Sequence, residues 1–190
     1  MIYSARAEAI QIARQKLALR PLYLDTETTG NGPGDEIIQI SILDDDGKVI
    51  LESLVKPTIP VTPEARRVHQ IDDASLANAP RWMHLWPKVE AILTGKVVGI
   101  YNADFDLRLI EQTNRKYRIR WSPEPDSTFC IMKLYAQFYG EWNRKTGGYR
   151  YQSLEMAGRQ CGISPTSLHQ ASQDALLARA VLHHMAQAGS

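Results

Sequence analysis

Cysteine is scarce in this 190-residue chain: there are two, Cys130 and Cys161. No C-x-x-C pair exists, so neither a zinc knuckle nor a thioredoxin-type redox site is expected, and there are too few thiols for a disulfide framework. No N-x-[ST] glycosylation acceptor is present, and no apolar run approaches the length needed to span a bilayer. Arg6, Glu8, Arg14 and Lys16 interrupt the first apolar stretch, unlike a signal peptide. Excess charge is missing too. Lys and Arg number 22 against 21 Asp and Glu, a formal +1, which argues against a protein that holds polyanions by bulk positive charge. Walker A, G-x-S-x-G and H-E-x-x-H sequences are absent, as are internal repeats and low-complexity segments. These absences lead to the expectation of a soluble, cytoplasmic protein with no membrane partner.

What is present suits one domain with its own core. The hydrophobic fraction of 44% and charged fraction of 23% exclude disorder and coiled coil. Residues 4–19 read as a helix, capped by Ser4 and carrying an Ala9, Ile10, Ala13, Leu17 stripe. Residues 22–25 look like a buried strand, and 29–34 a breaker-rich loop. Two strand-like runs, 36–43 and 48–55, flank Asp44-Asp45-Asp46-Gly47 and predict a hairpin. Thr62-Pro63 opens a helix. Trp82, Leu85, Trp86, Val89 and Leu93 predict a second helix with a core face. A strand at 96–101 and a helix at 104–116 follow, then a short strand near 126–129 and helices at 130–139, 153–161 and 171–187. Residues 140–150 are expected to be a mobile loop. Among the histidines, His69 is assigned a structural role, and His84, His183 and His184 are placed at the surface. Strands interleaved with helices after an opening hairpin indicate an α/β domain with a mixed sheet.

Three constellations carry chemistry. Asp25-Thr26-Glu27 ends the first strand, where residues two apart share a face. Carboxylates crowded there raise each other's pKa, and a hard divalent cation would relieve that repulsion. Asn102-Ala-Asp-Phe-Asp106 follows a later strand directly, the place where α/β sheets put ligands. His169-Gln-Ala-Ser-Gln-Asp174 leads into the last helix. A spacing of five separates two residues by about 140° on an ideal helix. The two would reach one cleft only with His169 in the preceding loop and Asp174 inside the helix. Singly, each cluster also reads as a solvated strand end or helix start.

Taken in order, D-x-E, N-A-x-F-D and H-x-x-x-x-D resemble the signature of the DEDDh 3′–5′ exonucleases, the family of bacterial proofreading exonucleases, exonuclease X-like enzymes, ribonuclease T and oligoribonuclease. The resemblance runs from about Pro21 to the last helix, and it includes the segment Pro63-Glu64-Ala65 to Val68-His69-Gln70-Ile71. It implies a ribonuclease H-like fold with a central mixed five-stranded sheet, its first three strands antiparallel, flanked by helices. Residues 1–20 would be an N-terminal helical extension and 21–190 the exonuclease domain. The resemblance also implies two divalent cations, Mg²⁺ or Mn²⁺, held by Asp25, Glu27, Asp106 and Asp174, with His169 as general base. Thr28 and Asn102 would contact the terminal nucleotide. The implied substrate is a nucleic-acid 3′ end, single-stranded or frayed duplex, DNA preferred over RNA, cut to nucleoside 5′-monophosphates in repair or replication. Departures are Asn31 where relatives carry a bulky apolar residue, Gln70 in place of Gly and Tyr101 in place of His.

RNA-directed exonuclease activity and a non-catalytic nucleic-acid-binding scaffold remain open, as does a homodimer or a polymerase or repair partner docked through the N-terminal helix. Ser53-Leu-Val-Lys56 and Lys145-Thr-Gly147 match two elements of penicillin-recognising serine enzymes, but the S-D-N element is missing and Ser53 lies in a strand-like run. Charge is unevenly spread. Residues 25–52 hold eight acids and one base, and residues 108–150 nine bases and four acids. Part of the basic segment, Arg144, Lys145 and Arg150, is expected to track phosphates.

Overall fold

The computed structural model describes residues 4–163 and 170–189. The chain opens with α1 (Ala5–Ala18), then β1 (Leu22–Thr28), β2 (Ile37–Leu43) and β3 (Val49–Leu54). Three helices follow, α2 (Pro63–His69), α3 (Asp73–Ala77) and α4 (Trp82–Leu93), before β4 (Val98–Ile100) and α5 (Ala103–Lys116). The last part holds β5 (Thr128–Cys130), α6 (Ile131–Tyr139), a small pair β6 (Trp142–Asn143) and β7 (Gly148–Tyr149), then α7 (Leu154–Gln160) and α8 (Ala171–Gln187). Strand order in the main sheet is β3-β2-β1-β4-β5. The first three strands pair antiparallel, and β4 and β5 join parallel to β1. This is the mixed five-stranded α/β sheet expected from the sequence.

Both faces of the sheet are covered at β1, β2 and β4, which explains why these strands read as continuous apolar runs rather than alternating ones, while the edge strand β3 leaves Val49 and Ile50 exposed. On one face Tyr23 and Leu43 pack among residues of α1, α6 and α8. On the other, Leu24, Ile40, Ile42 and Ile100 pack against Trp82, Trp86 and Val89 of α4 and Leu109 and Ile110 of α5. The buried Trp82 indole donates from Nε1 to Asn114 Oδ1 at 2.7 Å, so this ring leaves no polar atom unmet. In β4, Gly99 is required by close approach: a Cβ there would meet the Phe129 ring at 2.7 Å.

α1 lies on its own chain. Its N-cap Ser4 hydroxyl accepts from Ala7 N–H at 3.2 Å, and Ala9, Ile10 and Ala13 are buried. Arg14 donates to the Ala186 and Ala188 carbonyls at 2.8 and 3.0 Å, closing the last turn of α8. Arg6 donates to the Phe138 carbonyl at 2.9 Å and lies 3.8 Å over the Phe138 ring.

Three local expectations are corrected. Residues 140–150 contain the two-stranded β6–β7 hairpin rather than a loop without regular structure. The five-residue α3 is additional, capped by Asp72, whose carboxylate accepts from Ser75 N–H at 2.6 Å. His183 and His184 are half-buried, not surface residues: His183 Nε2 lies 3.2 Å from Asp45 Oδ1, and His184 packs edge-on against Phe138. His84 is exposed as expected, and Ser53 sits inside β3. Among the described residues, no helix is long and apolar enough to cross a membrane.

Because Ile10 is 1% exposed and packs in the core shared with α6 and α8, Ile10→Ala should cost about 2–5 kcal/mol in urea unfolding. A cost under about 0.5 kcal/mol, usual for a surface site, would show that α1 is not part of the cooperative unit.

Candidate active site

β1 and β4 run parallel as neighbours, so their carboxyl ends open on the same edge of the sheet. Asp25 and Glu27 project there from one face of β1. Beyond β4 the chain turns through Asn102, whose left-handed backbone (φ 69°) swings it directly into α5. Asp106, in the first turn of α5, is thereby brought back against β1. Its Oδ1 accepts from Thr26 Oγ1 at 2.7 Å, and it is 3% exposed. Asp174 enters from the first turn of α8. Asp25, Glu27 and Asp174 each offer a carboxylate oxygen, and these oxygens lie within 4.8 Å of one another. Asp106 stands beside this group, close enough that its charge acts on both Asp25 and Glu27.

Such a gathering is costly without a counter-charge. Burial foremost, then the charges of Asp106, Asp174 and Glu27, hold the Asp25 carboxyl well above the usual range. Burial, then Asp174 and Asp106, push Glu27 up to about 8. Burial raises Asp106 to about 7, against the pull of hydrogen bonds from Thr26 and from its own backbone N–H. Oxygen-only ligands, closely spaced and partly dehydrated, are the donor set of a hard divalent cation. The residues present therefore fit Mg²⁺ or Mn²⁺.

The supports of these carboxylates are less visible in the sequence. Gln39 is paired with Glu27 across the β1–β2 ladder, and its Oε1 accepts from Ala171 N–H at 3.3 Å. This ties the start of α8, and so Asp174, to the sheet. Asp35 organises the loop after β1. Its carboxylate accepts from Thr29 Oγ1 and Gly32 N–H, both at 2.6 Å. A Cβ on Gly30 would meet that carboxylate at 2.8 Å, so any side chain there would push Asp35 out of this turn. Thr28 is buried, its hydroxyl donating to the Gly30 carbonyl at 2.9 Å. Asn102 is half-buried at the same sheet edge and makes no side-chain cap to α5. His169 lies outside the described residues. His69 is buried, and its Nδ1 accepts from Ile71 N–H at 2.9 Å, in keeping with a structural role.

The raised values fix a pH dependence. Between the unfolded carboxylate range near 4.5 and about 8 for Glu27, the folded metal-free protein holds more protons on this cluster than the unfolded chain does. Its stability therefore falls as pH rises through that window. In EDTA, the melting temperature contributed by this cluster should drop between pH 5.5 and 8.5, and Glu27→Gln should lessen the drop. Equal pH sensitivity in wild type and Glu27→Gln would refute the electrostatic account.

An exonuclease family model, of the RNase T type, matches residues 22–182. An uncharacterised exonuclease of Escherichia phage 186 is 34% identical over 189 residues, covering 95% of each chain. The DNA polymerase III subunit epsilon of Treponema pallidum is 27% identical over 175 residues, 87% of this chain and 78% of that one. Among solved structures, exonuclease X in complex with 5′-overhanging duplex DNA superposes with a TM-score of 0.62 at 24% identity, covering 86% of this chain and 90% of that one. The nuclease domain of 3′hExo, a DEDDh family member bound to rAMP, gives 0.68 at 17% identity, covering 86% and 89%. The two structural likenesses establish the ribonuclease H-like fold, and the family match over most of the chain establishes the kinship: this protein belongs to the RNase T-type exonuclease family.

Proposed function

We propose that the protein is a metal-dependent 3′–5′ exonuclease that removes nucleoside 5′-monophosphates from nucleic-acid 3′ ends and prefers DNA. The observation that carries this reading is the close grouping of Asp25, Glu27 and Asp174 beside Asp106, in a chain of an exonuclease family. A scaffold that merely bound phosphates would be weakened by four carboxylates facing them, which disfavours the non-catalytic alternative. The preference for DNA rests on the relatives. The Treponema relative is a DNA polymerase subunit, and exodeoxyribonuclease 10 of Escherichia coli is 29% identical over 114 residues. The same kinship supports a polymerase or repair partner. Residues 1–20 would then be a helical extension and residues 21–190 the exonuclease domain. The docked α1 bears on this division, because its buried face is already used within the chain.

In this mechanism Asp25, Glu27 and Asp174 would hold one Mg²⁺ or Mn²⁺ and Asp25 and Asp106 the second. When bound, such ions acidify water and neutralise phosphoryl charge. The chain's own work is positional. β1 fixes Asp25 and Glu27, Thr26 orients Asp106, and Gln39 anchors the helix that carries Asp174. His169, whose ordinary pKa near 6.5 suits proton transfer at neutrality, would take the proton from the attacking water. Thr28 and Asn102 would meet the terminal nucleotide.

Matched 5′-labelled DNA and RNA, single-stranded and duplex, with Mg²⁺ or Mn²⁺, test the reading. Wild type should shorten DNA from its 3′ end faster than RNA, and Asp25→Ala or Asp174→Ala should abolish this. Gln39→Ala should lower the rate by about 10–100-fold, as loss of an outer support of a metal ligand does. Intact 3′ ends with the wild type would overturn the enzyme reading, and a strict preference for short RNA would overturn the choice of DNA.

A further inference from the structure

The β6–β7 hairpin has no part in the catalytic cluster, yet it is fastened to the same edge of the sheet. Tyr101, which immediately precedes Asn102, donates its hydroxyl to the Gln152 and Ser153 carbonyls at 3.0 and 3.3 Å. Glu141, at the other foot of the hairpin, accepts from Arg150 N–H through its carbonyl at 2.8 Å and from Gln152 Nε2 through its carboxylate at 3.2 Å. Its carboxylate also pairs with Arg150 at 3.0 Å. Arg150 thus also braces the base of the hairpin from an exposed position. From the neighbouring α6, Lys133 pairs with Asp104 at 2.6 Å and lies within electrostatic reach of Tyr151.

What this base holds up is chemically distinctive. Trp142 is 55% exposed, an unusual loss of buried area for an indole, and Tyr151 is 56% exposed. Trp142 is propped edge-on against Tyr149, ring centroids 5.2 Å apart and planes at 84°, which leaves indole surface open to solvent. The turn is ordered. Asn143 accepts from Lys145 N–H at 3.0 Å through its side chain and from Gly147 N–H at 3.0 Å through its carbonyl, with Gly147 at φ 68°. Arg144 and Lys145 are exposed at this tip. Open aromatic faces beside cations carried on an ordered turn are the pairing that grips single-stranded nucleic acid, stacking on bases and charge on phosphates.

We infer that the β6–β7 hairpin is a strand-holding arm: Trp142 stacks on an unpaired base of the substrate strand upstream of the 3′ end, and Arg144 and Lys145 hold the adjoining phosphates. The occupant is single-stranded polynucleotide, because a base stacked between its neighbours inside a duplex offers no free face to Trp142. This inference rests on the proposed exonuclease reading, which supplies the strand.

The test measures binding of fluorescein-labelled 12-nucleotide and dinucleotide DNA by anisotropy, with Ca²⁺ in place of Mg²⁺, in variants whose melting temperatures match wild type. Trp142→Ala should weaken 12-mer binding about tenfold and flatten the gain in affinity from dinucleotide to 12-mer, with Trp142→Phe largely restoring it. The double variant Arg144→Ala, Lys145→Ala should reduce the slope of log affinity against log salt by about 0.7 for each phosphate no longer neutralised. Wild-type affinity and salt slope in both Trp142→Ala and the double variant would overturn the arm. Wild-type hydrolysis of the p-nitrophenyl ester of thymidine 5′-monophosphate reports the catalytic reading separately. An inactive wild type whose hairpin variants still lose 12-mer binding would overturn the exonuclease reading and leave the arm standing. An active wild type whose variants bind normally would do the reverse.

Discussion

The structure depends on tolerating mutual repulsion among four carboxylates at one edge of a buried sheet. Each would be cheaper dispersed in water, and each is held in place by packing that has little freedom to give. Tyr23 and Leu24 anchor β1 in the cores on either face, so Asp25 and Glu27 cannot retreat from the edge. The left-handed turn at Asn102 points the start of α5 at β1, and the Thr26 hydroxyl keeps Asp106 there. The raised proton affinities of Asp25 and Glu27 express burial first and that repulsion second, and the raised affinity of Asp106 expresses its burial. A divalent cation is the natural relief, since it converts like-charge repulsion into shared attraction.

The near-zero net charge has a physical reading in this setting. The acids cluster where ions would be held, and many of the surplus bases are engaged within the chain. Lys116 is paired with the buried Glu36, Arg115 with Glu111, Lys133 with Asp104 and Arg150 with Glu141. A basic segment in sequence is thus not a uniformly basic surface. The cations at the hairpin tip stand out because they sit on an ordered turn beside open aromatic rings.

Much of this was legible in the sequence where chemistry or periodicity left a pattern. D-x-E at a strand end and Asp174 near a helix start pointed to one site, and the structure brings those three carboxylates together. The tryptophan-rich stripe of α4 marked a core face, and all five of its residues are buried. The hairpin at 140–150 was not legible, because strands of two residues have no period to detect, and the Gly147-Gly148 turn signal reads equally well as an irregular loop. Gln39 was hidden for a different reason. Its role follows from cross-strand register, which pairs it with Glu27 and turns its amide toward α8. His183 looked like a surface residue on its helix, but its partner Asp45 is 138 positions away in the chain.

The most direct test of the carboxylate cluster as a metal centre is calorimetric titration of Mn²⁺ into the protein at pH 7, in two buffers of different ionisation enthalpy. Carboxylates that hold protons when the site is empty must release them to bind a cation. A binding heat that differs between the buffers, showing net proton release, is expected for wild type and should shrink in Glu27→Gln. Absence of Mn²⁺ binding, or a heat independent of buffer, would contradict a strained acidic centre built to hold metal.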